Sequence, residues 1–497
     1  MNYFRPYSFP AEPAVFAAWD SQVATARETP WLEELLAEAG SGLFPLFAAR
    51  YAEISALPRR ARRALQRRLA RSRELALPPE RRRQLAGSLA GAALLLALGQ
   101  GTALANTITV NTAAHGVKSD GKCSLVEAID NANDTGTGQP HADCAAGDTD
   151  QNNIDTIILA KKTFTLTSSS GSFYGSDTGL PLITSKVTIQ GNGAKIVRKK
   201  GAPSFRHFAV AGNGSIDQLR LYGLTLGGGY SNSHGGSIVN YGRLYIYDSV
   251  ITGNGAGGYG GALDTVEGRL RVHDTIISKN FSYRSGGAIG NFHADARIYN
   301  STITGNAAYN GGGVQNFQAG LRIYDSIISF NAAYGDDQSA GGGIHNEDAG
   351  AFVYDSLITG NYASYEGGGI NNFDGYLKVD PTTISNNTAP LGGGIANRDG
   401  STARLNNTTI TGNKAELGGG IFNVNGATAY VGNSTITKNT AFGPGGGVYN
   451  DAWFVMEDSS VTKNKASSGG GGIHNNGTFV DNGGDLINGN KPTDLGS

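Results

Sequence analysis

Between residues 231 and 490 apolar and polar residues alternate in short runs such as Leu321-Arg322-Ile323-Tyr324, and the same run returns about every 26 residues. A period of two is the pattern of a strand with one face buried. Three phrases recur in step. Ile/Val-Thr/Ser-x-Asn closes on Asn254, Asn280, Asn306, Asn331, Asn361, Asn387, Asn413, Asn439, Asn464 and Asn490, with steps of 26, 26, 25, 30, 26, 26, 26, 25 and 26 residues. Gly-Gly-Gly/Ala-Ile/Val-x-Asn gives a second column: Asn240, Asn291, Asn316, Asn346, Asn372, Asn397, Asn423, Asn450 and Asn475, interrupted at Thr265. Leu-x-Ile-x-Asp/Asn-Ser gives a third, through Asp248, Asp274, Asn300, Asp325, Asp355, Asn407, Asn433 and Asp458, with Pro381 as the exception.

Three short strands per coil, separated by Gly- and Asn-rich turns, predict an all-β fold. The expected architecture is a right-handed, single-stranded parallel β-helix of ten coils, each strand paired with its equivalent about 4.8 Å away. The ten coils then make a rod on the order of 48 Å long. A leucine-rich repeat shares the period, but its Leu-x-x-Leu-x-Leu phrase is missing and triple glycine would break its helical side. The asparagines are expected to form a ladder, since a buried amide needs both its acceptor and its donors satisfied and stacked copies do this for one another.

Ahead of the repeats the pattern changes. Residues 10–57 read as helical, and residues 58–83 carry eleven arginines against Glu74 and Glu80. The uncharged run from Leu85 to Gly99 follows, short for a bilayer span and right for a signal segment. Ala103 and Ala105 put small residues where a signal peptidase cuts, so cleavage before Asn106 and an extracellular or cell-surface destination are expected; an uncleaved membrane anchor over residues 85–105 is the alternative. The leader would then meet the membrane during export. The chain divides into an arginine-rich helical extension (1–84), the signal or membrane segment (85–105), an N-terminal cap with the first coils (106–230), the ten-coil helix (231–490) and a tail (491–497).

A solenoid needs its ends covered. Ser124-Leu125-Val126-Glu127 has capping-box spacing, and Leu125, Ile129 and Ala132 fall on one helical face, so a short helix is expected over the first coil. Cys123 and Cys144 are the only cysteines and both follow the cleavage site, so export brings them to a compartment where they can pair; two free buried thiols are the alternative. The segment Asp120-Gly-Lys-Cys-Ser-Leu-Val-Glu-Ala-Ile129 resembles the signature of bacterial CSLREA-domain proteins, with Val126 where that family has arginine. The repeats are similar to the Gly-Gly-Ala-Ile and Phe-x-x-Asn repeats of chlamydial polymorphic outer-membrane proteins and, in fold, to pectate-lyase-like β-helices. These resemblances cover about residues 106–490. They imply a bacterial exported surface protein and supply no catalytic residues.

Composition sharpens the picture. Glycine reaches 74 of 497 residues, far above its usual share of about 7%, which suits tight turns rather than a large jigsaw core. Residues 106–497 carry 26 Lys and Arg against 32 Asp and Glu, a mildly acidic balance that argues against nucleic acid as a partner.

Candidate chemistry is sparse. The one 30-residue coil carries Asp336, Asp337, His345, Glu347 and Asp348, the best constellation for a catalytic site; the plainer reading is a solvated insertion, with His345 an outward turn residue. A basic row (Arg271, Arg297, Arg322, Lys378, Arg404) runs beside an aromatic one (Tyr247, His273, Tyr299, Tyr324, Tyr354), which suits an acidic sugar chain; alternatively the tyrosines stack on each other and the cations neutralise the Asp column. A third row, from Tyr259 to Phe442, accepts leucine and reads as loop packing. Carboxylates one coil apart repel by roughly 1 kcal/mol even in water, so Asp248, Asp274, Asp325 and Asp355 need turn amides, hydroxyls or Ca2+ between coils; no other cofactor is expected.

The function expected is a non-catalytic, exported rod whose side-chain rows adhere to a glycan, a cell wall or another surface component. A polysaccharide lyase or hydrolase of the pectate-lyase-like class is the second reading, and a structural rod assembling end to end the third. Oligomeric state is not legible from the sequence.

Overall fold

The computed structural model describes residues 106–150, 152–212, 217–335 and 338–497. The expectations for residues 1–84 and 85–105, and those for Asp336 and Asp337, lie outside the described residues. Among the described residues no helix is long and apolar enough to cross a membrane.

The chain winds into a parallel β-solenoid. A first sheet stacks fourteen strands, from Thr107–Thr109 to Thr478–Asp481, and a second stacks thirteen, from Thr163–Leu166 to Leu486–Asn488. A third runs from Phe208–Val210 to Lys465–Asn475, beside which Lys491–Gly496 adds a last strand. Pairing is in register with the repeat: Leu244 lies opposite Leu270, Ile251 opposite Ile277, and Ile238 opposite Leu263. The four rungs of the first sheet ahead of residue 231 belong to the same stack.

Alternation decides what faces inward. In Arg243–Tyr247 and Gly320–Tyr324 every second residue is buried and the others half exposed. The inward residues pile into aliphatic columns, such as Ile251, Ile277, Ile303 and Ile328, all fully buried. Each such side chain stabilises the fold by about 1.5–3 kcal/mol relative to its exposed state.

The asparagine ladder forms as expected. Asn280 donates through Nδ2 to Asn306 Oδ1 at 2.9 Å and to the carbonyl of Ile251 at 3.1 Å, while its backbone N–H also donates to Asn306 Oδ1. The same geometry repeats to Asn464, which donates to Asn490. Both ends are closed: the Gly229 amide donates to Asn254 Oδ1, and Asn490 donates to the Asp494 carboxylate at 2.8 Å. The second column, Asn291 to Asn475, forms a parallel ladder with Nδ2 to Oδ1 distances of 2.6–2.8 Å.

Triple glycine serves these ladders. Gly341 has a φ of +69°, a conformation glycine adopts at little steric cost. A Cβ on Gly342 would meet the Tyr362 carbonyl oxygen at 2.3 Å. The bend and the close coil contact both demand a bare Cα.

At the N-terminal end a helix, α1 (Leu125–Asn133), covers the first coil, with the capping box between Ser124 and Glu127 formed in both directions. Glu127 also accepts from the Lys118 amide at 2.7 Å, and Leu125, Ile129 and Ala132 are buried. Cys123 and Cys144 form a disulfide, their Cα atoms 4.7 Å apart, so the reading as free thiols is set aside.

Candidate functional site

The basic and aromatic rows lie on the exterior of the first sheet. Register places Tyr222, Tyr247, His273, Tyr299, Tyr324 and Tyr354 one above another. Their rings stack with centroids 4.5–5.2 Å apart and planes within 17°. Parallel β pairing enforces this, because the coil spacing is close to the ring-stacking distance. Sequence reading began one coil late and missed Tyr222 and Arg220.

The neighbouring row reads Arg220, Tyr245, Arg271, Arg297, Arg322, Phe352, Lys378, Arg404 and Tyr430. Arg220 lies over Tyr245 at 5.4 Å, Arg322 over Phe352 at 5.4 Å, Lys378 over Tyr354 at 5.6 Å and Arg404 over Tyr430 at 4.4 Å. Such contacts hold long cationic side chains against the sheet.

Asp295, which opens the strand Asp295–Tyr299 two residues before Arg297, gathers three of these cations. Arg271 pairs with it at 2.7 Å, Arg322 at 3.1 Å and Arg297 at 3.5 Å. Partial burial pushes the Asp295 carboxyl up, but the hydrogen bond and charge of Arg271, with the charges of Arg297 and Arg322, hold it below its ordinary range. One carboxylate thus meets three guanidiniums, leaving a local excess of positive charge. Asp295 itself stands outside the Asp column.

The Asp column lies at the turn into the second sheet. Asp248, Asp274, Asp325 and Asp355 all have φ of 48–51°, and Asn300 of 47°. Asp and Asn tolerate this left-handed conformation better than other side chains, which accounts for the residue types of the column. Asn300 also donates to the Asp274 carboxylate. Among the described residues no group of three or more His, Cys, Asp or Glu side chains is placed to hold a metal ion.

Where the chain passes from the third sheet to the first, a groove of about 510 Å³ runs across Gly320, Gly350, Asp348, Asp374 and Tyr376. Gly320 and Gly350 occupy the column that carries Arg243, Arg269 and Asp295 in earlier coils. A Cβ on Gly320 would lie 3.8 Å from Arg322 Nη1 and from Asp295 Oδ1, so the groove opens beside the arginine cluster.

His345 is not an outward turn residue, a correction to the sequence reading. It lies on the strand Ile344–Glu347 and is buried, its Nε2 3.3 Å from Glu347 and its Nδ1 3.0 Å from Asn371 Nδ2. Glu347 also accepts from Gln315; the His345 hydrogen bond holds its carboxyl below the usual range against the effect of burial. These side chains are consumed by one another in a covered seam. Glu366, buried nearby and pushed up by that burial, pairs with Arg398 at 2.8 Å. In the third row Leu391 and Leu417 pack as expected, whereas Tyr283 and Phe442 stay exposed.

A second polar group was not anticipated. Asp264 is fully buried on the third sheet, its Oδ2 3.2 Å from His234 Nδ1; burial pushes its carboxyl up despite His234. The signal was present: Asp264 shares a column with Gly290, Gln315, His345 and Asn371, where a charged residue is out of place.

No model of a known protein family matches the chain, and no curated protein matches it in sequence. Among solved structures, the A-module of the mannuronan C-5 epimerase AlgE6 of Azotobacter vinelandii is similar over 74% of this chain and 92% of that one, with 14% identity and a TM-score of 0.35.

Proposed function

We propose that the protein is an exported, non-catalytic β-helix that binds an acidic glycan of a cell wall or cell surface along the exterior of its first sheet. The observation that carries this reading is the cluster at Asp295, where three guanidiniums share one carboxylate beside a continuous aromatic stack. Guanidiniums in excess of the one local carboxylate recognise carboxylate or sulfate groups of a ligand, and the stacked rings, whose faces meet one another, present their edges alongside. The coil spacing of about 4.8 Å presents these groups at short, regular intervals along an extended chain. The open groove at Gly320 and Gly350 gives such a chain direct access to backbone. Export is supported by the signal-like segment, by the resemblance of the cap to bacterial CSLREA-domain proteins, and by a disulfide of the kind that persists in oxidising compartments.

A glycan array with uronic-acid and sulfated polymers tests this. Binding is expected to acidic members, to weaken as salt rises, and to fall in Arg297→Ala/Arg322→Ala. Absence of acidic ligands would overturn the binding reading, and unsaturated products or new reducing ends from a bound polymer would overturn the non-catalytic one.

A further inference from the structure

The corner where the chain leaves the second sheet carries a patch unlike the rest of the molecule in its last coils. Asn439 and Asn464 turn inward there as ladder rungs, and the residues on either side of each face outward. Register lays these outward positions into rows whose members stand one coil, about 4.8 Å, apart. One row runs Gly412, Lys438, Lys463 and Gly489. The next runs Lys414, Thr440, Lys465 and Lys491. A third, two residues on, holds Glu416, Phe442 and Ser467.

Five lysines thus share this corner with a single carboxylate, in a part of the chain where acids outnumber bases. All five are exposed, and none makes an ion pair or a side-chain hydrogen bond among the described residues. Lys438 and Lys463 each have φ of 58°. That left-handed backbone costs lysine more than the glycine that fills the same position in the coils on either side. Like charges one coil apart also repel. The fold alone therefore does not ask for lysine at either place. Phe442 lies amid the patch, since Thr440, two residues before it, pairs with Lys414 on one side and Lys465 on the other. It is 69% exposed, the highest fraction of any large apolar side chain among the described residues.

We propose that this corner docks the protein on an anionic lipid surface, with Phe442 inserted and the lysines at the headgroups. A soluble anionic polymer would satisfy the lysines and leave the ring in water. An anionic bilayer satisfies both, because ammonium groups sit at headgroup phosphates while an aromatic side chain enters the boundary with the acyl chains. Lysine suits this role, as a compact charge on a flexible apolar stem. None of these residues belongs to the first sheet, so the lipid surface and the glycan face act independently.

The test places an indole at the corner by Phe442→Trp in the full chain and follows its fluorescence as vesicles are added. Subtracting wild type removes the three native tryptophans. Vesicles of mixed phosphatidylglycerol and phosphatidylcholine should shift the emission to the blue, and added salt should reverse the shift. Vesicles of phosphatidylcholine alone should leave it unmoved. Adding Lys438→Glu/Lys463→Glu should raise the lipid concentration at half-saturation by about tenfold or more, since each lysine at the surface is worth about fivefold. Adding Arg297→Ala/Arg322→Ala instead should change nothing. If the first lysine pair fails to fold, Lys414→Glu/Lys465→Glu takes its place with the same expectation. The proposal is overturned if mixed vesicles leave the indole emission unmoved, if phosphatidylcholine alone shifts it equally, or if a folded lysine variant titrates like its parent. It is also overturned if soluble polyphosphate reproduces the shift, which would assign the corner to a polymer.

Discussion

Asn361→Ala removes one rung of the first asparagine ladder, where the structure permits the loss to be reckoned bond by bond. Asn361 Oδ1 accepts from the Asn331 side chain at 3.0 Å and the Asn331 backbone amide at 2.9 Å; its Nδ2 donates to Asn387 Oδ1 and to the Ile328 carbonyl, both at 3.0 Å. Four buried hydrogen bonds vanish together. The Asn331 side chain keeps its bond to the Ile303 carbonyl, and Asn387 Oδ1 keeps the Asn361 backbone N–H. The backbone N–H of Asn331 keeps nothing comparable. At about 1 kcal/mol net per bond, with a further penalty for the orphaned amide, the loss comes to roughly 5 kcal/mol. A solenoid unfolds in units rather than as one body, so the readout should be local as well as global. Urea denaturation gives the global loss, and native-state hydrogen exchange at the Asn331 amide should accelerate by about three orders of magnitude or more. Thr383→Ala, on the outer face of the second sheet, should change stability by no more than about 0.5 kcal/mol. A loss below about 1 kcal/mol for Asn361→Ala, with Asn331 exchange unchanged, would refute the view that the ladder holds the coils together.

Three further outcomes are expected. Replacing Cys123 and Cys144 by serine should cost about 3 kcal/mol, seen as a lower melting temperature of the N-terminal coils; an unchanged melt would show that α1 holds the cap without the link. His207 is buried, with Nε2 donating to the Gly227 carbonyl and Nδ1 facing Ser237 Oγ, and burial depresses its pKa to about 4. The unfolded chain then binds the extra proton first, so stability rises with pH between about 4 and 6.5 and is lost as pH falls, by up to roughly 3 kcal/mol. Asp155, pushed up to about 6, acts in the opposite sense over much of the same range, so the comparison to make is wild type with His207→Gln, whose pH slope should lack this component; equal slopes would contradict it. Positive φ explains the residue types of the Asp column with no need of an ion, and a chelator is expected to leave the melting temperature unmoved; a drop reversed by calcium would show that metal lies between the coils.

The sequence carried the fold in its columns. A repeat that returns at 25–30 residues declares which side chains superpose, so the ladders and both exterior rows of the first sheet were legible from residue names alone. What failed was whatever lay off the repeat. Asp295 stands alone as an acid in a column that also holds Gln218, Arg243, Arg269, Gly320, Gly350 and Tyr376, so no periodicity tied it to three arginines. The turn acids needed φ, which a sequence gives only as a preference for Asp and Asn. His345 was misplaced because its position lies on a strand of the third sheet, where Glu347 and Asn371 hold its buried ring. His234 and Asp264 come from adjacent coils in which the glycine phrase is imperfect, so no repeated column pairs them.

The sharpest single measurement is isothermal titration of the protein, and of Arg297→Glu/Arg322→Glu, with an acidic oligosaccharide identified on the array. Reversing two of the three charges around Asp295 should weaken binding by at least about a hundredfold, at roughly 1.5 kcal/mol or more for each charge-assisted contact. Equal affinity of the two proteins, with the fold intact by circular dichroism, would mean that the exterior of the first sheet is not where the glycan lies.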